Sequence, residues 1–274
     1  MIRLIASDLD GTLLNKEWKI SSRNVQAVRQ AVTRGVKVTL ATGRMAAATR
    51  GYARELGLDV PLITYHGALI EQALSGEILY RKVVPVELAA EIVESLLQRR
   101  IHTQVFLKDR VFVQKANEHS AAYGKMAGLQ VEEADVLKLL EKEPEGVEKI
   151  LCIGEKDILQ ELGQELKAVY GQKLHFTSSS FQFLDMLHPE VNKGTALRAL
   201  AEQWGIEAEE VMALGDSLND KEMLVFAGLG VAMANAHPEL KEIADYITGP
   251  YWEDGVAQAI EKFILKAGGE ESGS

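Results

Sequence analysis

Met1-Ile-Arg-Leu-Ile-Ala-Ser-Asp-Leu-Asp-Gly-Thr-Leu-Leu14 opens the chain, and its reading decides the fold. Ile2, Leu4, Ile5 and Ala6 make a short apolar run of the kind that forms a buried strand. Two carboxylates, Asp8 and Asp10, stand at its C-terminal end, followed at once by Gly11 and Thr12. In open parallel sheets, ligands collect outside the carboxyl ends of the strands. Acids placed there oppose burial, so something must hold them. Residues i and i+2 of an extended segment point the same way, so Asp8 and Asp10 can approach one ligand from one side. Like charges that close push one pKa up, which suits a nucleophile beside a general acid/base. Two plainer readings compete. Asp-Gly sequences commonly form turns whose acids cap the next segment. A calcium loop needs Gly at its sixth position and Glu at its twelfth; counted from Asp8, those are Leu13 and Lys19. The calcium loop fails.

Outward from this strand, residues 24–34 are helical, with Val25, Val28 and Val32 as apolar positions and Gly35 as the stop. A second strand over 36–41 ends in Thr42-Gly-Arg44, a helix spans 45–56, and a third strand over 61–65 ends in His66-Gly-Ala68. This alternation predicts an α/β fold: a Rossmann-like parallel-sheet core. The rhythm breaks near Val83. A helix over 85–100 precedes hairpin-like strands at 103–108 and 111–114, a polar, small-residue stretch at 118–128, a strand at 149–154 and a helix at 157–170. A second hairpin follows, at 174–178 and 181–187. Hairpins imply an antiparallel sheet, so 83–185 reads as an α+β cap domain inserted into a core of 1–82 and 186–274. The acidic run at 141–145 reads as a solvated loop.

The α/β rhythm resumes with a helix over 193–204, a strand over 210–214 and a helix over 221–226. A strand at 230–233, a helix at 238–244, a last strand at 246–248 and a closing helix at 256–265 complete it. Residues 268–274 are Gly, Ser, Glu only and are expected to be disordered.

Composition narrows the function. The chain has 274 residues, 47% hydrophobic and 26% charged, enough for two cores. No run reaches the roughly 18 apolar residues of a membrane span, and the N-terminus lacks a signal-peptide pattern; a cytoplasmic protein is expected. A net charge of −10 argues against a nucleic-acid partner. An anionic small substrate then needs local cations or backbone N–H groups to attract it. The single cysteine, Cys152, lies in a strand-like run, which favours a buried, inert thiol and leaves no CxxC metal site. No oligomeric state is written in the sequence.

The remaining chemistry also falls at strand ends. Thr42-Gly43 sits where a strand meets a helix, where backbone N–H groups and a hydroxyl can hold an anion; Thr is equally a common N-cap. Arg44 either helps to hold that anion or, as is more common on a surface helix, is a solvated side chain. Lys193 opens a helix, against the sign of the macrodipole; it is either a tolerated exposed lysine or the holder of an anion. Asp216 and Asp220 lie four apart after another strand and would repel on a helical turn. A divalent cation removes that conflict, and oxygen ligands suit Mg²⁺. Asn219 adds a hydrogen-bonding group without charge, and Gly215 allows the sharp turn. Together these are the parts of Mg²⁺-assisted phosphoryl transfer. No GxxxxGK[ST] is present, and Gly228-Leu-Gly230 does not complete GxGxxG.

In order and spacing, Asp8-Leu-Asp-Gly-Thr12, Thr42-Gly-Arg44, Lys193 and Gly215-Asp-Ser-Leu-Asn-Asp220 resemble the four motifs of the haloacid dehalogenase (HAD) superfamily. Asn192-Lys-Gly-Thr-Ala-Leu197, Gly230-Val-Ala-Met-Ala-Asn-Ala236 and Gly255-Val-Ala257 resemble its Cof-type branch with a C2B cap. The resemblance implies a phosphatase acting on a small phosphorylated metabolite, such as a sugar phosphate or a phosphorylated cofactor. It implies that Asp8 attacks phosphorus and that Asp10 protonates the leaving oxygen and then activates water. Thr42, Gly43, Lys193 and Asn219 are implied at the phosphoryl group. Asp8, the Asp10 carbonyl and Asp216 are implied on Mg²⁺, with Asp220 and Asn219 in support. A mutase and a non-catalytic phosphate binder are the alternatives on the same fold. His66-Gly-Ala68 departs from the Asn-Gly-Ala usual in Cof-like proteins. It leaves His66 as a substrate ligand, a pH-sensitive replacement or an idle strand-end residue.

Overall fold

The structure, a computed structural model, describes residues 1–266; the expected disorder over 268–274 lies outside them. Along the chain run β1 (Leu4–Ser7), a tight turn over Leu9–Leu13, α1 (Ser22–Thr33), β2 (Lys37–Leu40), α2 (Ala46–Leu56), β3 (Pro61–Thr64), β4 (Leu69–Gln72) and β5 (Ile78–Arg81). Next come α3 (Val86–Gln98), β6 (His102–Leu107), β7 (Arg110–Val113), α4 (Glu118–Ala127), β8 (Val131–Glu133) and α5 (Val136–Leu140). After them lie β9 (Lys149–Ile153), α6 (Lys156–Tyr170), β10 (His175–Thr177) and β11 (Phe183–Leu187). The chain returns through α7 (Lys193–Gln203), β12 (Val211–Gly215), α8 (Lys221–Phe226), β13 (Leu229–Ala232), α9 (Pro238–Ile243), β14 (Tyr246–Ile247) and α10 (Gly255–Ile260).

Five parallel strands, ordered β14-β13-β12-β1-β2, form the central sheet. All four residues of β1 are buried, as a strand covered on both faces requires. Connections from β1 leave to β2 on one side, while β12 lies on the other. The Asp8–Asp10 turn therefore opens where the strand order reverses, and ligands bind at such switch points.

A second sheet of six strands, β10-β11-β9-β6-β7-β8, is antiparallel except for the parallel pair β7–β8. It has its own apolar cluster, with Val105, Ile150, Cys152 and Met186 buried beneath α3, α5 and α6. Cys152 is buried, as its run suggested. Strand β11 continues this ladder to Leu187, past the expected junction at 185/186, because Met186 and Leu187 pair with β9 and β10.

Other departures have local causes. β3 touches the parallel sheet through one bridge, Ala41 to Ile63, and otherwise pairs antiparallel with β4 in a three-stranded sheet β3-β4-β5. The stretch at 118–128 is helix α4, set by a reciprocal capping box between Asn117 and Ser120 and ended by left-handed Gly128. Within the acidic run, Glu143 and Glu145 pair with Lys108 and Arg81.

Candidate active site

Strand β1 delivers Asp8 with its side chain almost fully buried. The turn after it works only with glycine at position 11. Its φ is +76°, and a Cβ there would come within 2.3 Å of Asp216 Oδ2. Asn235 fixes the same turn by donating to the Gly11 carbonyl at 2.8 Å, while its own Oδ1 accepts from Tyr251 N.

Helix α7 brings in Lys193, which is neither exposed nor solvated. A capping box between Asn192 and Thr195 sets the first turn, and Lys193 is 0% exposed. Its Nζ lies 2.6 Å from Asp8 Oδ1 and 2.6 Å from Asp220 Oδ1. The other oxygen of Asp220 accepts from the backbone N–H groups of Asp216 and Ser217, at 2.9 and 3.0 Å. Asp220 thus spends both oxygens on holding Lys193 and the Asp216 turn. The repelling i, i+4 pair expected on a helical turn is resolved in this way. Thr12 Oγ1 donates to Asp216 Oδ1 at 3.3 Å.

Asp8, Asp216 and Asp220 offer oxygens all within 4.8 Å of one another. Asp8 and Asp220 share one ammonium with Asp216 beside them, which leaves an excess of negative charge in a buried place. Burial, the largest cause, together with the neighbouring carboxylates pushes the Asp8 carboxyl well above its usual range. For Asp216 the same causes push it up to about 7. That excess, presented on oxygen donors alone, fits a hard divalent cation.

Asp10 has a different partner. Arg44 Nε and Nη2 meet its two oxygens at 2.8 and 2.6 Å. Arg44 is not the solvated residue the sequence suggested: its side chain is 5% exposed. The guanidinium stacks over the rings of Trp18 and Tyr52 at 5.1 and 5.7 Å, an apolar seat whose desolvation the bidentate carboxylate offsets. Thr42 is fully buried, and its Oγ1 accepts from Arg44 N at 3.1 Å.

His66, at the β3–β4 turn, is buried with φ +57°. Its backbone N–H donates to the Thr42 carbonyl at 2.9 Å, and its ring fills the space that a Cβ on Gly43 would need. Asn219 Nδ2 lies 3.2 Å from His66 Nδ1; an amide donor there puts the ring proton on Nε2, which faces Asp185 Oδ2 at 3.4 Å. Burial lowers the His66 pKa, against the pull of Asp185. Asn219 Oδ1 is buried without a partner. One of the two N–H groups of its amide, expected at a phosphoryl group, is thus directed to His66. Asp185 in turn pairs with Lys149 at 2.8 Å. Against burial, the largest effect, the Lys149 ammonium and the His66 N–H beside it hold its carboxyl at about 2. Asp185 and Lys149 were not singled out in the sequence, although each is a charge within an apolar strand run, Phe183-Leu-Asp-Met-Leu187 and Lys149-Ile-Leu-Cys-Ile153. Such a charge must find a partner.

These loops line one side of a cavity of about 290 Å³, through Asp8, Asp10, Gly43, Arg44, Ser217 and Asn219. The six-stranded sheet and its connections supply the other side, with Tyr123, Leu151, Ser180 and Phe183 among them. The two acids thus face a partly open cavity large enough for a small metabolite.

A family model described as haloacid dehalogenase-like hydrolase matches residues 5–260, the span that contains every one of these site residues. The chain belongs to this family. The HAD-type chain is 36% identical over 264 residues to the 5-amino-6-(5-phospho-D-ribitylamino)uracil phosphatase YcsE of Bacillus subtilis, with 96% of each chain covered. It is 33% identical over 242 residues to the HMP-PP phosphatase of Escherichia coli, covering 88% of this chain and 87% of that one. A solved HAD-like hydrolase from Bacteroides thetaiotaomicron aligns with a TM-score of 0.87 at 30% identity, covering 96% of this chain and 100% of its own. The protein is a phosphatase of the HAD superfamily, Cof-type. Among the described residues, no helix is long and apolar enough to cross a membrane.

Proposed function

We propose that the enzyme hydrolyses a small phosphomonoester through a phosphorylated Asp8. The observation that carries this reading is the buried ammonium of Lys193, shared by Asp8 and Asp220 beside Asp216. Lys193 draws the Asp8 carboxyl down against burial and aims it, which favours the ionised form a carboxylate nucleophile requires. Asp8, Asp216 and the Asp10 carbonyl would hold Mg²⁺, with Asp220 supporting them from behind. When bound, the ion supplies charge neutralisation for the oxygens of the transferring group. Thr42, Gly43 and Lys193 hold the phosphoryl oxygens. Asp10 gives a proton to the leaving oxygen and later takes one from water, with Arg44 fixing its plane.

In this reading residues 1–82 and 186–274 form the catalytic core, and the inserted segment closes the leaving-group side. The aromatic and apolar side chains of Tyr123, Leu151 and Phe183 on that side suit a phosphorylated metabolite with a compact body. The test is phosphate release from a panel of phosphomonoesters, with and without Mg²⁺. Asp8→Asn is expected to lower turnover by at least about 10⁴-fold. Activity that survives this change would falsify the covalent mechanism.

A further inference from the structure

The segment that carries Thr42 and Arg44 is gripped by two side chains from the six-stranded sheet. Lys149, on β9, donates from Nζ to the Gly43 carbonyl at 2.9 Å. Asp109, in the β6–β7 turn, accepts from the Ala47 N–H at 2.9 Å. That N–H lies in the first turn of α2, whose own N-cap residue, Met45, provides no side-chain acceptor. An open helix N-terminus in the catalytic layer is therefore capped by a carboxylate from the other layer.

Both grips are braced. Asp109 pairs with Arg50 of α2 at 2.7 Å and accepts from the Tyr65 hydroxyl at 3.1 Å. Lys149 pairs with Asp185 at 2.8 Å and lies 4.6 Å from the Phe106 ring centroid. With the Gly43 carbonyl, these contacts engage the ammonium on three sides. Lys149 thus has its bonding capacity committed to the protein, although it lines the cavity.

We infer that Asp109 and Lys149 are positioning residues for phosphoryl transfer. They fix residues 42–47 from the inserted layer, and through Arg44 they fix the carboxylate of Asp10. The inference rests on the proposed role of Asp10. Its physical content is that the inserted layer completes the catalytic geometry in addition to enclosing the substrate. A group that only enclosed or recognised the leaving group would act on one substrate and not on another. A group that sets the geometry of the transferring end acts on all of them.

The experiment compares p-nitrophenyl phosphate with the phosphomonoester turned over best in the panel. Asp109→Gly keeps the left-handed backbone, φ +57° at this position, and removes the acceptor. It is expected to lower kcat by about tenfold to a hundredfold on both substrates, with KM changed by less than about threefold. Asp109→Asn retains an acceptor for the Ala47 N–H and is expected to recover most of that loss. Lys149→Met leaves Asp185 buried beside His66 alone, so Lys149→Met is combined with Asp185→Asn, which removes both charges of the pair. This double variant is expected to show the same loss of kcat on both substrates. The inference is overturned if Asp109→Gly and the double variant leave kcat unchanged. It is equally overturned if the loss appears only in KM for the larger substrate, or if Asp109→Asn recovers nothing. Asp8→Asn, run alongside, separates failure of this inference from failure of the covalent mechanism.

Discussion

Arg44 shows how far a single residue departs from its local reading. At the start of an exposed-looking helix it reads as a solvated cation, yet it is buried between Trp18 and Tyr52 and grips Asp10 with two bonds. Nothing within five residues of Arg44 announces this, because Asp10 lies 34 positions away. Lysine cannot reproduce a planar fork. Arg44→Lys is therefore expected to lower kcat by about tenfold or more while leaving the overall stability near wild type, measured by steady-state kinetics beside thermal unfolding. The acids themselves were legible from sequence, since a charge pair at a strand end has few uses. The partners of Asn219 were not. Its tie to His66 spans 153 positions, and the amide turns to a ring that no local pattern places beside it.

At the scale of elements, α7 places the most consequential side chain of the site. Lys193 sits at its first position, where a cation is disfavoured by the macrodipole. Two carboxylates in contact overcome that. The Asn192–Thr195 capping box sets the entry angle of the chain, so Asn192→Ala is expected to destabilise the protein by about 1 kcal/mol, measured by denaturant unfolding. Because the cap also aims Lys193, kcat should fall with it. The parallel elements were readable from their apolar runs and from Gly35 as a stop. Helix α4 was not, because Glu118-His-Ser-Ala-Ala-Tyr-Gly-Lys-Met-Ala127 has no continuous apolar stripe. Strands β4, β5 and β8 were missed for another reason. They have four, four and three residues, too few for alternation to show, and their pairing comes from the strands beside them.

For the whole molecule, the buried carboxylates tie stability to pH and to metal. The Asp216 carboxyl is raised from 3.8 to about 7 in the folded protein. Over that range the folded state binds more protons than the unfolded chain, so the metal-free protein loses stability as pH rises through it. Mg²⁺ is expected to reverse this. At about a hundredfold excess over its Kd it should raise the thermal midpoint by about 5–10 °C. The rise should be larger at pH 8 than at pH 5, and Asp216→Asn should remove most of it; differential scanning calorimetry with and without the ion reads both. The order in which the chain is made adds a last consequence. Asp8 and Lys193 are 185 positions apart, and the inserted layer lies between them in sequence. During synthesis Asp8, the proposed nucleophile, emerges first and its charge partner follows 185 residues later. The inserted layer, contiguous in sequence, can assemble meanwhile. The growing polypeptide thus carries an unpaired Asp8 until the whole six-stranded layer has been made, and the acidic cluster closes only once Lys193, Asp216 and Asp220 have followed it.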